Sequence, residues 1–293
     1  MDAIKTDSLT KYYGKTRGIE KIDLTVRQGD FFGFIGPNGA GKSTTIRTLL
    51  GLIKPSDGGA QIFGLDVVKQ REKILERVGY LPSEAAFYPG MRVRDVLKMS
   101  ADLRKKDCQE TAKQLCERLR LDTTRKVDEL SFGNKKKTAI VCALQHDPAL
   151  LILDEPTGGL DPLMQREFFE ILRERNKTGT TIFLSSHILS EIQHNCTHAA
   201  MIKEGRIIAA DSVETLSRTG VKRVSVHGTV DYKALEGVKD LRTSPEGVHF
   251  LYSADMHTLL CALTKGDIQD ISITEPDLEE VFLHYYEEGG NEG

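Results

Sequence analysis

The run Gly36-Pro-Asn38-Gly39-Ala-Gly41-Lys42-Ser43-Thr44 carries the strongest chemical signal in the chain. It fits Gly, four residues, Gly-Lys-Ser/Thr, a loop that cradles phosphate groups. The glycines let backbone N–H groups turn inward around a polyphosphate. A helix starting where the loop ends adds about half a positive charge at that point. Lys42 is placed to reach β- and γ-phosphates, and the Ser43 hydroxyl to bind Mg²⁺. Farther along, Leu150-Leu-Ile-Leu-Asp154-Glu155 is an apolar strand ending in two adjacent carboxylates. Alone, such a pair is an ordinary helix cap. With the phosphate loop upstream, Asp154 becomes a Mg²⁺ ligand, directly or through water, and Glu155 is free to orient or deprotonate a water.

These residues need elements to hold them. Phe31 to Ile35 predicts a buried strand before the loop, and Ser43 to Leu50 a helix after it, closed by Gly51. The first 30 residues predict short strands with polar turns, and Ile22, Leu24 and Val26 alternate as a half-buried strand does. Ala60 to Phe63 and Val78 to Leu81 are further strand candidates. Residues 91 to 145 predict a helical insertion, with Val93, Val96 and Leu97, and then Leu115 and Leu119, at helical spacing. Leu150 to Leu153 and Thr181 to Ser185 predict strands. Met164 to Asn176 and Ile188 to Cys196 predict helices, and Ala200 to Ala210 a hairpin turning at Glu204-Gly205. The expected fold class is α/β: a phosphate-loop core over residues 1–217 with an antiparallel β subdomain and a helical subdomain. A small α+β domain is expected over 218–293. There Val224 and Val226, then Val248, Phe250 and Tyr252, alternate as in strands. Met256 to Leu263 predicts a helix, and Ile271 and Ile273 share a strand face. Leu278, Val281, Phe282 and Tyr285 form an apolar stripe on a last helix, behind a Thr274/Asp277 capping box.

Composition limits the classes of function. The 293 residues are enough for about two domains. Forty basic and 43 acidic residues give a net charge of −3, against a chain that grips nucleic acid by charge alone. Hydrophobic residues at 39% and charged residues at 28% suit a soluble globular protein. No apolar run approaches the roughly 18 residues of a membrane span, and no secretory signal opens the chain. The five cysteines show no Cys-x-x-Cys spacing and predict reduced cytosolic thiols.

In this order the motifs resemble the ATP-binding subunits of ATP-binding cassette (ABC) transporters, over residues 1 to about 215. Tyr13 before Gly14 is similar to the aromatic that stacks on adenine. Leu130-Ser131-Phe-Gly133-Asn134 resembles the Leu-Ser-Gly-Gly-Gln signature, Gly159-Leu-Asp161 the D-loop, and His187 after Leu184-Ser-Ser the switch histidine. The resemblance implies ATP as ligand with Mg²⁺, and two subunits facing head to tail. ATP would lie between the loop of one (Gly36, Asn38, Gly39, Gly41, Lys42, Ser43, Thr44) and the signature of the other. Ser131 and the backbone around Gly133 would then donate to the γ-phosphate, and hydrolysis would let the pair open. It further implies Lys42, Glu155 and His187 as the catalytic set, Asp161 in the nucleotide site, and a transmembrane permease as partner. The second ATPase subunit would be a copy or a different chain. The place of work would be the cytoplasmic face of the membrane, reached through the permease. Glu275-Pro-Asp-Leu-Glu-Glu-Val-Phe282 is similar to the closing segment of drug, antibiotic and bacteriocin-immunity exporters, which favours export.

Two positions depart from the family. The signature has Phe132 for Gly and Asn134 for Gln. After Gly79-Tyr-Leu-Pro82 stand Ser83 and Glu84 where a Mg²⁺-contacting Gln is usual, leaving open which of them, if either, replaces it. Lys135-Lys-Lys137 is read as a solvated face rather than a nucleic-acid patch. Thr264-Lys-Gly-Asp267 fits a guanine-reading motif by chance. His194-Asn-Cys196-Thr-His198 is read as a core thiol with surface histidines, and Tyr285-Tyr286 as helix packing. Two other classes compete with transport: a non-transport ABC machine and a regulatory nucleotide-binding module. A single cassette without heptads disfavours the first, and Glu155 with His187 disfavours the second.

Overall fold

The computed structural model describes residues 1–217, 222–229, 235–244, 247–264 and 266–274. The chain divides into two units, Met1–Asp211 and Ser212–Gly293. In the first unit the chain runs β1 (Asp2–Tyr13), β2 (Thr16–Ile22), β3 (Thr25–Arg27), β4 (Phe31–Ile35) and α1 (Lys42–Leu49). Next come β5 (Asp57–Ile62), β6 (Leu65–Asp66), α2 (Arg71–Leu75), β7 (Val78–Leu81), α3 (Val93–Leu103), α4 (Gln109–Arg118) and α5 (Phe132–Leu144). The unit closes with β8 (Leu150–Asp154), α6 (Pro162–Lys177), β9 (Thr181–Ser186), α7 (Leu189–Asn195), β10 (His198–Lys203) and β11 (Arg206–Ser212).

One sheet has the order β11-β10-β4-β9-β8-β7, and β10, β4, β9, β8 and β7 run parallel. Every residue of β4, β8 and β9 is buried. That explains why they are unbroken apolar runs rather than alternating ones: strands covered on both faces have no wet side. Phe32 and Phe34 of β4 pack on Phe183 of the adjoining strand, with ring centroids 5.9 and 5.4 Å apart. Fully burying each such side chain contributes roughly 1.5–3 kcal/mol.

The second sheet joins β1, β2, β3, β5 and β6, with antiparallel pairings. Here the sequence expectation needs correction. The first strand is one long ribbon of 12 residues with bulges rather than short pieces. The run Ile22, Leu24, Val26 keeps its alternate burial but is split between β2 and β3. Thr6 causes the split to be tolerated: its hydroxyl donates to Ile22 O and accepts from Leu24 N, both at 2.7 Å. One side chain thus replaces a stretch of ladder. Helix α6 begins two residues earlier than the apolar spacing predicts, because Asp161 caps it and Pro162 occupies its first turn.

In the second unit lie α8 (Val213–Ser217), β12 (Lys222–Thr229), β13 (Val238–Ser244), β14 (Gly247–Tyr252), α9 (Met256–Leu263) and β15 (Asp267–Thr274). The strands form one sheet in the order β13-β14-β12-β15. Val224, Val226, Phe250, Tyr252, Leu259 and Leu263 make its core. Helix α8 groups with this unit, although the sequence reading placed the boundary after it. The stripe Leu278, Val281, Phe282, Tyr285, the segment Glu275–Phe282 and the pair Tyr285-Tyr286 lie outside the described residues.

Candidate active site

Lys42 opens α1 behind Gly41, whose φ is +110°. A Cβ at Gly41 would stand 2.8 Å from Gly18 O, so both conformation and space demand glycine. The Lys42 side chain is 6% exposed and turns back into its own loop. Its Nζ donates to Gly36 O at 2.6 Å and Pro37 O at 3.2 Å. It also lies 3.0 Å from Glu155 Oε1, an ion pair without hydrogen-bond alignment.

Glu155 follows the last residue of β8 and has φ +48°. A left-handed non-glycine residue costs on the order of 1–3 kcal/mol and persists only where its surroundings hold it. Its amide faces Ser185 O at 3.2 Å and Ser185 Oγ at 3.3 Å. Its carbonyl accepts from Lys136 Nζ at 3.0 Å. In this conformation the carboxylate meets two partners, Lys42 through Oε1 and His187 Nδ1 through Oε2 at 2.7 Å. Lys42, Glu155 and His187, distant in sequence, therefore share one carboxylate.

Asp154 is fully buried. Its Oδ1 accepts from Ser185 Oγ at 2.8 Å, while Oδ2 is buried with no partner in the protein. A buried carboxylate oxygen lacking a donor is costly, and a hard cation satisfies it. The orphaned oxygen, with the Ser43 hydroxyl beside Lys42 in sequence, is a donor set that fits Mg²⁺.

Tyr13, 47% exposed at the end of β1, lies over Gly18. A Cβ on Gly18 would meet both Tyr13 Cε2, at 3.0 Å, and Thr44 Cγ2, at 3.1 Å. The ring thus stands at the mouth of the phosphate loop. Asn38 and Gly39 are exposed at the loop's outer turn. Ser131, by contrast, caps α5 by accepting from Asn134 N at 3.3 Å, and Asp161 caps α6 by accepting from Met164 N at 3.0 Å. Gly133 approaches Gly159: a Cβ on it would lie 2.6 Å from Gly159 O. The Phe132 ring covers Gly159 so closely that a Cβ there would fall 2.2 Å from Phe132 Cδ1. The signature and D-loop residues are therefore joined to each other, and not by hydrogen bonds to the Lys42 cluster.

Three polar residues of this region escaped the sequence reading. Lys136 was placed on a solvated face with its neighbours, but it is 2% exposed. Its Nζ donates to Pro82 O at 3.1 Å, Ser83 O at 2.9 Å and Glu155 O. Burial brings its ammonium down to about 8, against the opposing pull of the Asp154 and Glu155 carboxylates. A run of three lysines on a helix sends the middle one to a different face from its neighbours, which periodicity shows once the buried face of α5 is known. Ser185 ties Asp154 to the Glu155 amide. Glu191 is buried and accepts from Ser186 Oγ at 2.8 Å. Burial pushes its carboxyl up, and hydrogen bonds from Thr157 and Ser186 partly offset this. Ser83 and Glu84 follow β7, Ser83 half-buried and Glu84 exposed, and Lys136 anchors the backbone there through Ser83 O.

Cys196 is a buried thiol beside Gly33, while His194 bonds Ser190 O at 2.6 Å and His198 faces Asp30. Thr264 ends α9 by donating to Cys261 O.

The loops after β4, β7, β8 and β9 all leave the carboxyl edge of one parallel sheet, where open α/β sheets bind their ligands. With a phosphate loop opening α1, the architecture is that of a phosphate-loop nucleoside triphosphatase. The family model "ABC transporter" matches residues 19–158. The chain is 36% identical to the bacitracin transport ATP-binding protein BcrA of Bacillus licheniformis over 299 aligned residues, covering 96% of each. It is 31% identical to the linearmycin resistance ATP-binding protein LnrL of Bacillus subtilis, covering 96% of this chain and 97% of that one. A solved ATP-binding subunit of an ABC transporter superposes with a TM-score of 0.70 at 29% identity, covering 74% of this chain and 92% of the other. The chain belongs to the ABC transporter family, as one of its ATP-hydrolysing subunits. Among the described residues no helix is long and apolar enough to cross a membrane.

Proposed function

We propose that this chain powers an exporter of antibiotic-like or other noxious compounds, by binding and hydrolysing ATP beside a separate membrane permease. The observation that carries it is the near-complete coverage, end to end, of relatives named for bacitracin transport and linearmycin resistance. Within the site, Tyr13 stacks on the adenine and the Gly36–Thr44 loop wraps the phosphates. Lys42 exchanges its Glu155 partner for the β- and γ-phosphates. Glu155, once released, accepts the proton of the attacking water, and His187 holds its other carboxylate oxygen in line. Ser43 and Asp154 Oδ2 would hold Mg²⁺, which supplies charge neutralisation at the phosphates. Ser131 and Gly133 serve the nucleotide of a second cassette, and Asp161 joins that interface. ATP closes the pair and hydrolysis opens it. The work is done at the cytoplasmic face of the membrane, with the permease choosing the cargo.

Glu155→Gln tests the chemistry. It keeps the shape and removes the base, so turnover falls by about 10²–10⁴-fold while nucleotide still binds. Wild-type turnover by Glu155→Gln refutes the assignment. Co-purification with a polytopic membrane protein tests the transport role, and deleting the gene should sensitise cells to bacitracin or linearmycin, the compounds those relatives are named for. A chain that fractionates free of any membrane protein refutes it.

A further inference from the structure

Lys136 is an ammonium sealed in the protein and surrounded by backbone oxygens rather than by an aligned counter-ion. Its three acceptors come from two segments: Pro82 and Ser83 in the loop after β7, and Glu155 after β8. The lysine itself belongs to α5, the helix that Ser131 caps. One side chain therefore joins three segments of the site region.

The carbonyl it holds at Glu155 matters most. Glu155 is a non-glycine residue at φ +48°, and that conformation is what turns its carboxylate toward both Lys42 and His187. Rotation back to an ordinary φ would swing the carboxylate and release the carbonyl. Ser185 restrains the residue from its amide side and Lys136 from its carbonyl side. A strained residue persists where its neighbours over-determine it. Burying a charge is also expensive, and three charge-assisted hydrogen bonds are the compensation visible here. Burial lowers the ammonium to about 8, and the Asp154 and Glu155 carboxylates oppose that fall.

We infer that Lys136 is a positioning residue for hydrolysis: it fixes the left-handed backbone of Glu155 and couples it to the Pro82-Ser83 loop and to the signature helix. The inference rests on the reading of Glu155 as the base. Displacing a base by about 1 Å costs on the order of 10²-fold.

The test is steady-state ATPase with the purified full-length chain. Lys136→Met keeps the unbranched stem to within one atom and removes every donor; Lys136→Gln keeps two N–H donors on a shorter arm. Lys136→Met should lower kcat by about 10–100-fold with KM within about threefold, and Lys136→Gln should fall between it and wild type. Combined with Glu155→Gln, Lys136→Met should cause no further loss, since its effect runs through a base already absent. Wild-type kcat in a folded Lys136→Met, or a loss that appears mainly in KM, overturns the inference. So does a Lys136→Met penalty repeated in full on Glu155→Gln. If Lys136→Met does not fold, Lys136→Gln decides: a several-fold fall in kcat at constant KM supports the role, and a wild-type kcat overturns it. Glu155→Gln alone reports on the base assignment, so failure of that reading is seen separately.

Discussion

The Lys42–Glu155 pair makes a prediction about binding that is separate from catalysis. The Lys42 ammonium lies 3.0 Å from Glu155 Oε1. A diphosphate or triphosphate must take Lys42 away from that carboxylate. At this distance, with an effective dielectric near 20, the attraction is roughly 5–6 kcal/mol before desolvation is counted. Much of it is cancelled by the cost of drying both groups, and Gly36 O and Pro37 O keep their hold on Nζ. A net value of about 1–2 kcal/mol lies between the roughly 0.2–1 kcal/mol of exposed ion pairs and the roughly 3–5 kcal/mol lost on breaking a buried one. Glu155→Gln removes the negative charge and retains an acceptor for His187. It should therefore raise affinity for ADP by about 5–30-fold. ADP is the ligand of choice because it is not hydrolysed, which keeps turnover out of the measurement. Calorimetric titration without Mg²⁺ gives the constant directly. The nucleotide-free Glu155→Gln chain should also melt lower, since Lys42 loses its compensating charge. An ADP affinity equal to or weaker than wild type refutes the idea that the two residues compete with phosphate for each other.

Tyr13→Ala should raise the KM for ATP by about 2–12-fold with kcat unchanged, from the 0.5–1.5 kcal/mol of ring stacking; a collapse of kcat at constant KM removes Tyr13 from the base platform. Gly159→Ala should destabilise the chain by about 1–3 kcal/mol, because φ is +81° and the Phe132 ring must leave. In a Phe132→Ala background that cost should shrink measurably in denaturant unfolding, and strict additivity would show that the ring is no obstacle. Burial pushes the His146 imidazole down to about 4, with Arg104 and Lys106 adding to the effect. The unfolded chain, at an ordinary value near 6.5, takes up the proton first, so this contribution is complete above pH 6.5 and disappears as pH falls toward 4, by up to about 3 kcal/mol. His146→Gln should flatten that acid slope in urea melts, and an unchanged slope would place the titrating group elsewhere.

The parts of the site that were legible in the sequence were those written in one contiguous stretch. Gly36 to Thr44 needed no partner to be read, and Asp154-Glu155 followed from the strand before it. His187 was legible only through resemblance, since nothing in residues 184–187 announces a carboxylate 2.7 Å away. Lys136 was misread because a lysine triplet carries the composition of a wet surface, and burial of its middle member is a tertiary fact. The bridging of Ile22 and Leu24 by Thr6 is of the same kind: a hydroxyl in an alternating strand looks like a solvent-facing residue. Phe132 against Gly159 joins two motifs that sequence presents as independent. Asp161 was read for the nucleotide, and its Asp-Pro context also spells the helix cap that the structure shows.

Strand order also governs when the enzyme can exist during its own synthesis. The phosphate loop follows β4 and the carboxylates follow β8, yet these strands are not neighbours: β9 lies between them, pairing Phe31 with Ile182 and Leu150 with Thr181. Until residues 181–186 have left the ribosome, the parallel sheet does not run unbroken from the strand before the loop to the strand before the carboxylates. The carboxylates that end β8 thus take their place in a continuous sheet with the loop only after the later strand β9 has filled the gap between them.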